Sequence, residues 1–264
     1  MLPILFLTSC DDDDDDTDMV LTKTFELNSV ADPNISGTAK FIKNEDNSTT
    51  VELQLSGTPA GGMHPAHIHY NTAAEGGDIA VTLGTVNGDT GFSSMTFSKL
   101  DDETNISYED LLDFDGYINV HLSDSELTTL VAQGDIGENE LTGESKTYTL
   151  NELDVTGISG TATFYERVNG NALATLKLLN TPVDGTHPAH IQMGSVANAP
   201  GDIMFTFNPV DGETGMSKTN VEELDDETDF GYNDVLNVDG YINVHLSAAE
   251  LGTIVAQGNV GSNQ

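Results

Sequence analysis

The sequence predicts an all-β protein of two tandem antiparallel β-sandwich or flattened-barrel domains of Greek-key type, each with a short helical excursion. Three observations predict it. Short runs rich in Val, Ile and Thr alternate apolar with polar residues, and Gly, Asn and Asp punctuate them. The pattern then repeats at a period of 123 to 124 residues, too long for a solenoid, so one domain is written twice. Finally, 264 residues suffice for two domains of ordinary size, each able to bury a core.

In the first copy, strands are predicted at 23–27, 37–42, 50–55, 66–70, 79–83, 91–97, 116–122 and 130–134. The one helical patch is 107–114, where Ser107 is a candidate N-cap ahead of the acidic Glu109 and Asp110. The repeat is carried by HPAH at 64–67 and 187–190, GDI at 77–79 and 201–203, and LDDET at 100–104 and 224–228. DGYINVHLS at 115–123 returns at 239–247. KTFELN at 23–28 is matched by KTYTLN at 146–151, after a polar boundary at 137–145. The domains are therefore expected at 22–140 and 146–264.

The chain carries 44 acidic against 8 basic residues, a formal net charge of −36. Phosphate would be repelled by such a surface, so nucleic-acid partners are excluded. Seven of the negative charges belong to Asp11 to Asp16 and Asp18, leaving about −29 on the two domains. The acidic groups at 101–103, 113–115, 225–227 and 239 offer oxygen ligands suited to calcium, but without EF-hand spacing. A solvated acidic surface is the favoured reading of them.

Residues 1–21 read as a leader. An apolar run ends in Leu7-Thr8-Ser9-Cys10, and six Asp follow directly. This resembles the end of a bacterial lipoprotein signal, in which the Cys becomes the lipid-bearing residue. The run is shorter than a usual signal and lacks a basic start. Cys10 is the single cysteine, so no intramolecular disulfide can form. On this reading Cys10 anchors the chain to a membrane, and the Asp run is an extended tether. An acidic run in that place also resembles a signal for display at the outer face of the outer membrane. The expected location is the cell envelope, on the surface or in the periplasm.

The histidines carry the sharpest functional signal. Six of the seven form three matched pairs across the copies: His64 with His187, His67 with His190, and His121 with His245. His69 stands alone, because the second copy has Gln192 in its place. Alternation in Ala66-His67-Ile68-His69 puts both imidazoles on the face opposite Ala66 and Ile68, about 7 Å apart. The same logic turns Ile118 and Val120 inward and His121 outward. If the two strands are neighbours, His67, His69 and His121 could converge, with His64 as a fourth, on copper or zinc. The alternative is that His64, His67 and His121 are hydrogen-bonding residues that fix loops. His187, His190 and His245 form a weaker set in the second copy, which Met193 would complete only by reaching round its strand as a soft ligand.

SGTAKF at 36–41, AHIH at 66–69, and GYINVH at 116–121 with a short strand after it resemble the CHRD (chordin-type) domain family. The resemblance covers nearly all of each copy, and SGTATF at 159–164 matches more closely still. It implies extracellular β domains of secreted proteins and lipoproteins, with no established activity as a class. VAQG at 131–134 and 255–258 lacks the Glu and Arg of the family's closing segment. A weaker similarity is to copper-zinc superoxide dismutases, whose copper ligands His67, His69 and His121 resemble. Their zinc-side histidines, disulfide and substrate-guiding Arg are not apparent here.

The expectation is thus an exported, lipid-anchored, non-catalytic binding or structural module with a copper or zinc site in the first copy. The alternative is a metal-dependent redox enzyme of the dismutase type. Adhesion or recognition of a protein partner is a third class.

Overall fold

The computed structural model describes residues 20–264. Residues 1–19, with Cys10 and the Asp run expected to form a leader, lie outside the described residues. The chain forms two closed eight-stranded antiparallel barrels in tandem. The first contains β1 (Thr22–Ser29), β2 (Ser36–Lys43), β3 (Thr49–Ser56), β4 (Met63–Tyr70), β5 (Ile79–Asn87), β6 (Phe92–Phe97), β7 (Asp115–His121) and β8 (Leu130–Gly137). A single helical turn and a half, α1 (Tyr108–Leu112), precedes β7. The second barrel repeats the plan with β9 (Leu141–Glu152), β10 (Ser159–Arg167), β11 (Ala172–Leu179), β12 (Thr186–Met193), β13 (Ile203–Asp211), β14 (Met216–Val221), α2 (Tyr232–Asn237), β15 (Asp239–His245) and β16 (Ile254–Gly261).

Strand order around the first barrel is β1-β2-β3-β6-β5-β4-β7-β8. The chain leaves β3, runs β4 to β6 back as a meander beside it, and crosses to β7 on the far side of β4, which is the expected Greek-key path. Pairing of Asn28 with Gln133 and Ser29 with Ala132 joins β8 to β1. Closure leaves no free sheet edge, so the sandwich alternative gives way to a barrel.

All eight expected strands form, several of them longer than the hydrophobic pattern alone marked. The interior follows the alternation: Phe25, Leu27, Phe41, Val51, Leu53, Ala66, Ile68, Ile118 and Val120 are all at most 1% exposed. The helical patch is shorter than 107–114, but its start is as expected. Ser107 Oγ accepts from Asp110 N–H (3.1 Å), and the Asp110 carboxylate accepts from Ser107 N–H (2.9 Å).

The second domain begins five residues before the expected 146. Leu141 already pairs with Arg167 and Ser145 with Tyr165, across a bulge. The early part of β9 has no inward apolar residue until Tyr148, so periodicity could not reveal it.

Arg167, the chain's only arginine, holds the junction between the barrels. Its side chain is fully buried, and Nη1 donates to Asp135 Oδ2 (2.7 Å) and to the connecting Asn139 carbonyl (2.5 Å). The other Asp135 oxygen accepts from Ala73 N–H (2.8 Å). In the second barrel Asn259 keeps that local bond to Val196 N–H (2.9 Å) without the charge. The carboxylate of Asp135 is therefore needed for Arg167 and not for the barrel. Asp135→Asn should lower the unfolding free energy by about 3 kcal/mol, because it leaves a buried guanidinium without its counter-charge. Asn259→Ala should cost only about 1 kcal/mol, the value of one neutral hydrogen bond. Guanidinium chloride unfolding of both variants checks this.

Candidate metal centre

The β4–β7 pair builds the site. Ala66 faces Val120, Ile68 faces Ile118 and His69 faces Tyr117, all in antiparallel register. Because the isoleucines fill the core, His67 and His69 lie on the outer face. Register shifts flank these residues, between Ala66 and His67 and between Ile68 and His69 against β5, and between Val120 and His121 against β8. Bulges of this kind twist a strand locally and re-aim its side chains. Pro65 lacks an N–H, and the β4–β7 ladder begins only at the next residue.

His67, His69 and His121 meet on this face. Ring centroids are 5.8 Å apart for His67 and His69 and 5.1 Å for His67 and His121. One nitrogen of each lies within 4.8 Å of the others, and among the described residues this is the one such group of His, Cys, Asp or Glu. Tetrahedral zinc with bonds of about 2.0–2.1 Å needs its nitrogens about 3.3 Å apart, so only a small inward movement is required.

Two loops fix the tautomers. His121 Nδ1–H donates to the Leu127 carbonyl (2.6 Å), and His69 Nδ1–H donates to the Gly77 carbonyl (2.9 Å). Each bond leaves Nε2 as the unprotonated nitrogen, the outer-sphere arrangement that orients metal-binding histidines. His121 Nε2 lies 3.1 Å from His67 Nδ1. His69 Nε2 is buried with no hydrogen-bond partner. Its ring stacks on Tyr117 at 5.0 Å and 16°, which limits rotation. An orphaned buried nitrogen is costly unless something binds it.

His64 does not join them. It shares the parity of Ala66 and Ile68, is 1% exposed, and its Nδ1–H donates to the His121 carbonyl (3.2 Å). Its ring packs so closely on Gly62 that a Cβ there would stand 2.6 Å from Nε2. The expected fourth ligand is thus a core residue that fixes the end of β7.

The second barrel keeps the frame and lacks the third donor. His187 repeats His64, with its Nδ1–H on the His245 carbonyl (3.2 Å). His190 and His245 stand 5.2 Å apart, and His245 Nδ1–H donates to Leu251 O (2.7 Å). Gln192 fills the place of His69, with Oε1 accepting from Asn243 Nδ2 (2.9 Å). Met193 is 55% exposed and has the opposite strand parity to His190, so it completes nothing.

The acidic groups act as local hydrogen-bond acceptors. Asp101 receives Thr82 N–H (3.0 Å) and Oγ–H (2.8 Å), Asp102 receives Thr104 N–H (2.9 Å), and Asp115 receives Asn139 Nδ2–H (2.7 Å). Thr82 faces His67 across β4–β5, so Asp101, held by Thr82, brings a carboxylate to the histidine face. A cleft of about 510 Å³ lies between the barrels, lined by Glu26, Asp135, Tyr165, Leu173 and Met216 among others, and holds no histidine. No family model, curated protein or solved structure matches this chain. The site is therefore argued from its own chemistry. No described helix is long and apolar enough to cross a membrane.

Sequence reasoning missed Tyr117, Gly77 and Leu127, and read Asp101 as a candidate calcium ligand and not as a neighbour of the histidines. Gly77 and Asp101 sit inside the repeated GDI and LDDET segments, which signalled their importance to the fold without linking them to the histidines.

Burial pushes the His67 imidazole below the ordinary histidine value, and the neighbouring His121 and His69 push it further, against Asp101. Burial also lowers His121, against its bond to Leu127, and burial, helped by the charge of the neighbouring His245, lowers His190. The folded chain then binds fewer protons at these sites than the unfolded chain. Their stabilisation is complete above about pH 6.5 and is lost as the pH falls below it. An NMR titration of the metal-free protein should give midpoints for His67, His121 and His190 below 6.5. A midpoint at or above 6.5 for His67 would contradict the buried cluster.

Proposed function

We propose that this protein is an exported, envelope-anchored, non-catalytic binding module that holds one copper or zinc ion in its first barrel. The observation that carries the metal reading is the convergence of three imidazoles, of which His69 and His121 have tautomers set by loop carbonyls and His69 also has a buried unpartnered Nε2. Neutral imidazoles suit Cu(II) and Zn(II). The second barrel, with the same strands and two of the three donors, is the low-affinity copy. The CHRD-type resemblance and the Leu-Thr-Ser-Cys segment support the extracellular, lipid-anchored setting, with Cys10 as the anchor.

A dismutase-like redox enzyme is the competing reading from the same histidines. Such an enzyme draws an anionic radical toward its metal, and a positive surface serves that purpose. The single guanidinium of this chain is instead buried against Asp135, and the domains are strongly acidic. Binding without turnover is the better fit.

Metal analysis of the full chain after equilibration with Zn(II) or Cu(II) should give one ion per chain. His69→Gln should reduce this to none at micromolar metal, and Gln192→His should raise it to two. The second substitution is favourable because Tyr241 already receives Gly201 N–H (2.8 Å), as Tyr117 receives Gly77 N–H (3.1 Å). Unchanged stoichiometry in both variants would refute the ligand set. The copper-loaded chain should also show no dismutase activity above that of free copper.

A further inference from the structure

Around the three histidines, the neighbouring polar side chains already have partners. Asn119 Oδ1 accepts from Gln133 Nε2 (2.9 Å), and Tyr117 Oη accepts from Gly77 N–H (3.1 Å). Asp101 is held by both polar groups of Thr82, and His64 is turned into the core. Three nitrogens fill three positions of a four-coordinate ion, and among the described residues no further His, Cys, Asp or Glu joins the group. The remaining ligand must come from outside. His67 is the partly exposed member, while His121 and His69 are 6% and 9% exposed, so the approach runs past His67.

The surroundings select among possible ligands by charge. Asp101 lies beside the approach through Thr82, the cross-strand neighbour of His67, and Asp102 and Glu103 follow it. Glu103 is paired with Lys99, but no ion pair among the described residues engages Asp101 or Asp102; the others are Lys43 with Glu109, Lys23 with Glu140 and Arg167 with Asp135. The ion's own charge attracts an anion, but on its approach an anion also meets a fixed carboxylate and the negative field of the domain, a penalty that a neutral donor does not carry.

We propose that the ion bound by His67, His69 and His121 keeps one position open to solvent, and that this position prefers a neutral nitrogen donor to an anion. The matching ligand is an imidazole, either free or on a histidine-bearing peptide. The proposal rests on the metal-binding reading and adds a function to it: the loaded barrel captures imidazole groups through its metal. Chemically, the incoming nitrogen displaces a bound water, and no proton or electron is transferred.

The test uses the full chain loaded with Co(II), whose visible bands report its ligands. Titration with free imidazole should change the bands saturably at one equivalent, with cobalt still bound after gel filtration. Azide should need about ten times the concentration for half-saturation, and Asp101→Asn should narrow that gap. A histidine-bearing peptide should reproduce the imidazole change, and its His→Ala counterpart should not. Bands that ignore imidazole would show a closed site, and azide binding as tightly as imidazole would remove the charge argument; either result overturns the proposal. If no cobalt bands form and the chain retains neither zinc nor copper, the metal reading itself fails, and the proposal with it.

Discussion

Ile68 faces Ile118 across β4 and β7, and both are fully buried. The site depends on this contact. With those side chains committed to the core, strand alternation leaves His67 and His69 on the outer face, and a slip of one residue would exchange the two sets. Burying a pair of isoleucines is worth roughly 1.5–3 kcal/mol each, so the register is held by packing and not by any ion. The bulges beside His67, His69 and His121 then turn a flat row of side chains into a group whose nitrogens converge. Loop carbonyls complete the arrangement. The centre is thus assembled from the fold outward, before any metal arrives.

The duplication acts as an internal control. Both barrels share the β4–β7 type pairing, the core histidine on a carbonyl of the last strand, the bulges, the tyrosine on a glycine N–H, and the histidine held by a loop carbonyl. They differ at the site through His69 and Gln192, and through His190, whose Nδ1 has no partner where His67 Nδ1 meets His121 Nε2. Where the histidine leaves a buried nitrogen orphaned, the glutamine joins an amide ladder through Asn243 to Gln257. The second barrel therefore satisfies at this position what the first leaves unsatisfied. Similarly, Asp135 and Asn259 differ where only the first barrel has a guanidinium to neutralise. In each case the first barrel carries the feature with a demanding chemical consequence.

Much of this was legible in the sequence because the strands obey a two-residue period over a closed core. That period put the three histidines on the outer face, and their convergence followed once β4 and β7 were neighbours, a pairing that periodicity does not supply. His64 was legible too: the same parity that turns Ile68 inward turns His64 inward, but nearness in sequence made it look like a ligand. Barrel closure was not legible, since pairing of β8 with β1 leaves no local signature. Nor was the start of β9 at Leu141, where the strand runs without an inward apolar residue. The carbonyls of Gly77 and Leu127 were also hidden, because any residue supplies a carbonyl and only the path of the loop decides where it points.

The claim that a three-histidine centre exists in one barrel and not the other is tested most directly by anomalous diffraction. Crystals of the full chain grown with zinc would be measured above and below the zinc absorption edge. The account predicts one strong peak among His67, His69 and His121, with Nε2 of His69 and His121 and Nδ1 of His67 as ligands, and none beside His190 and His245. An equal peak in the second barrel, or a peak liganded by His64, or none in the first barrel, would contradict it.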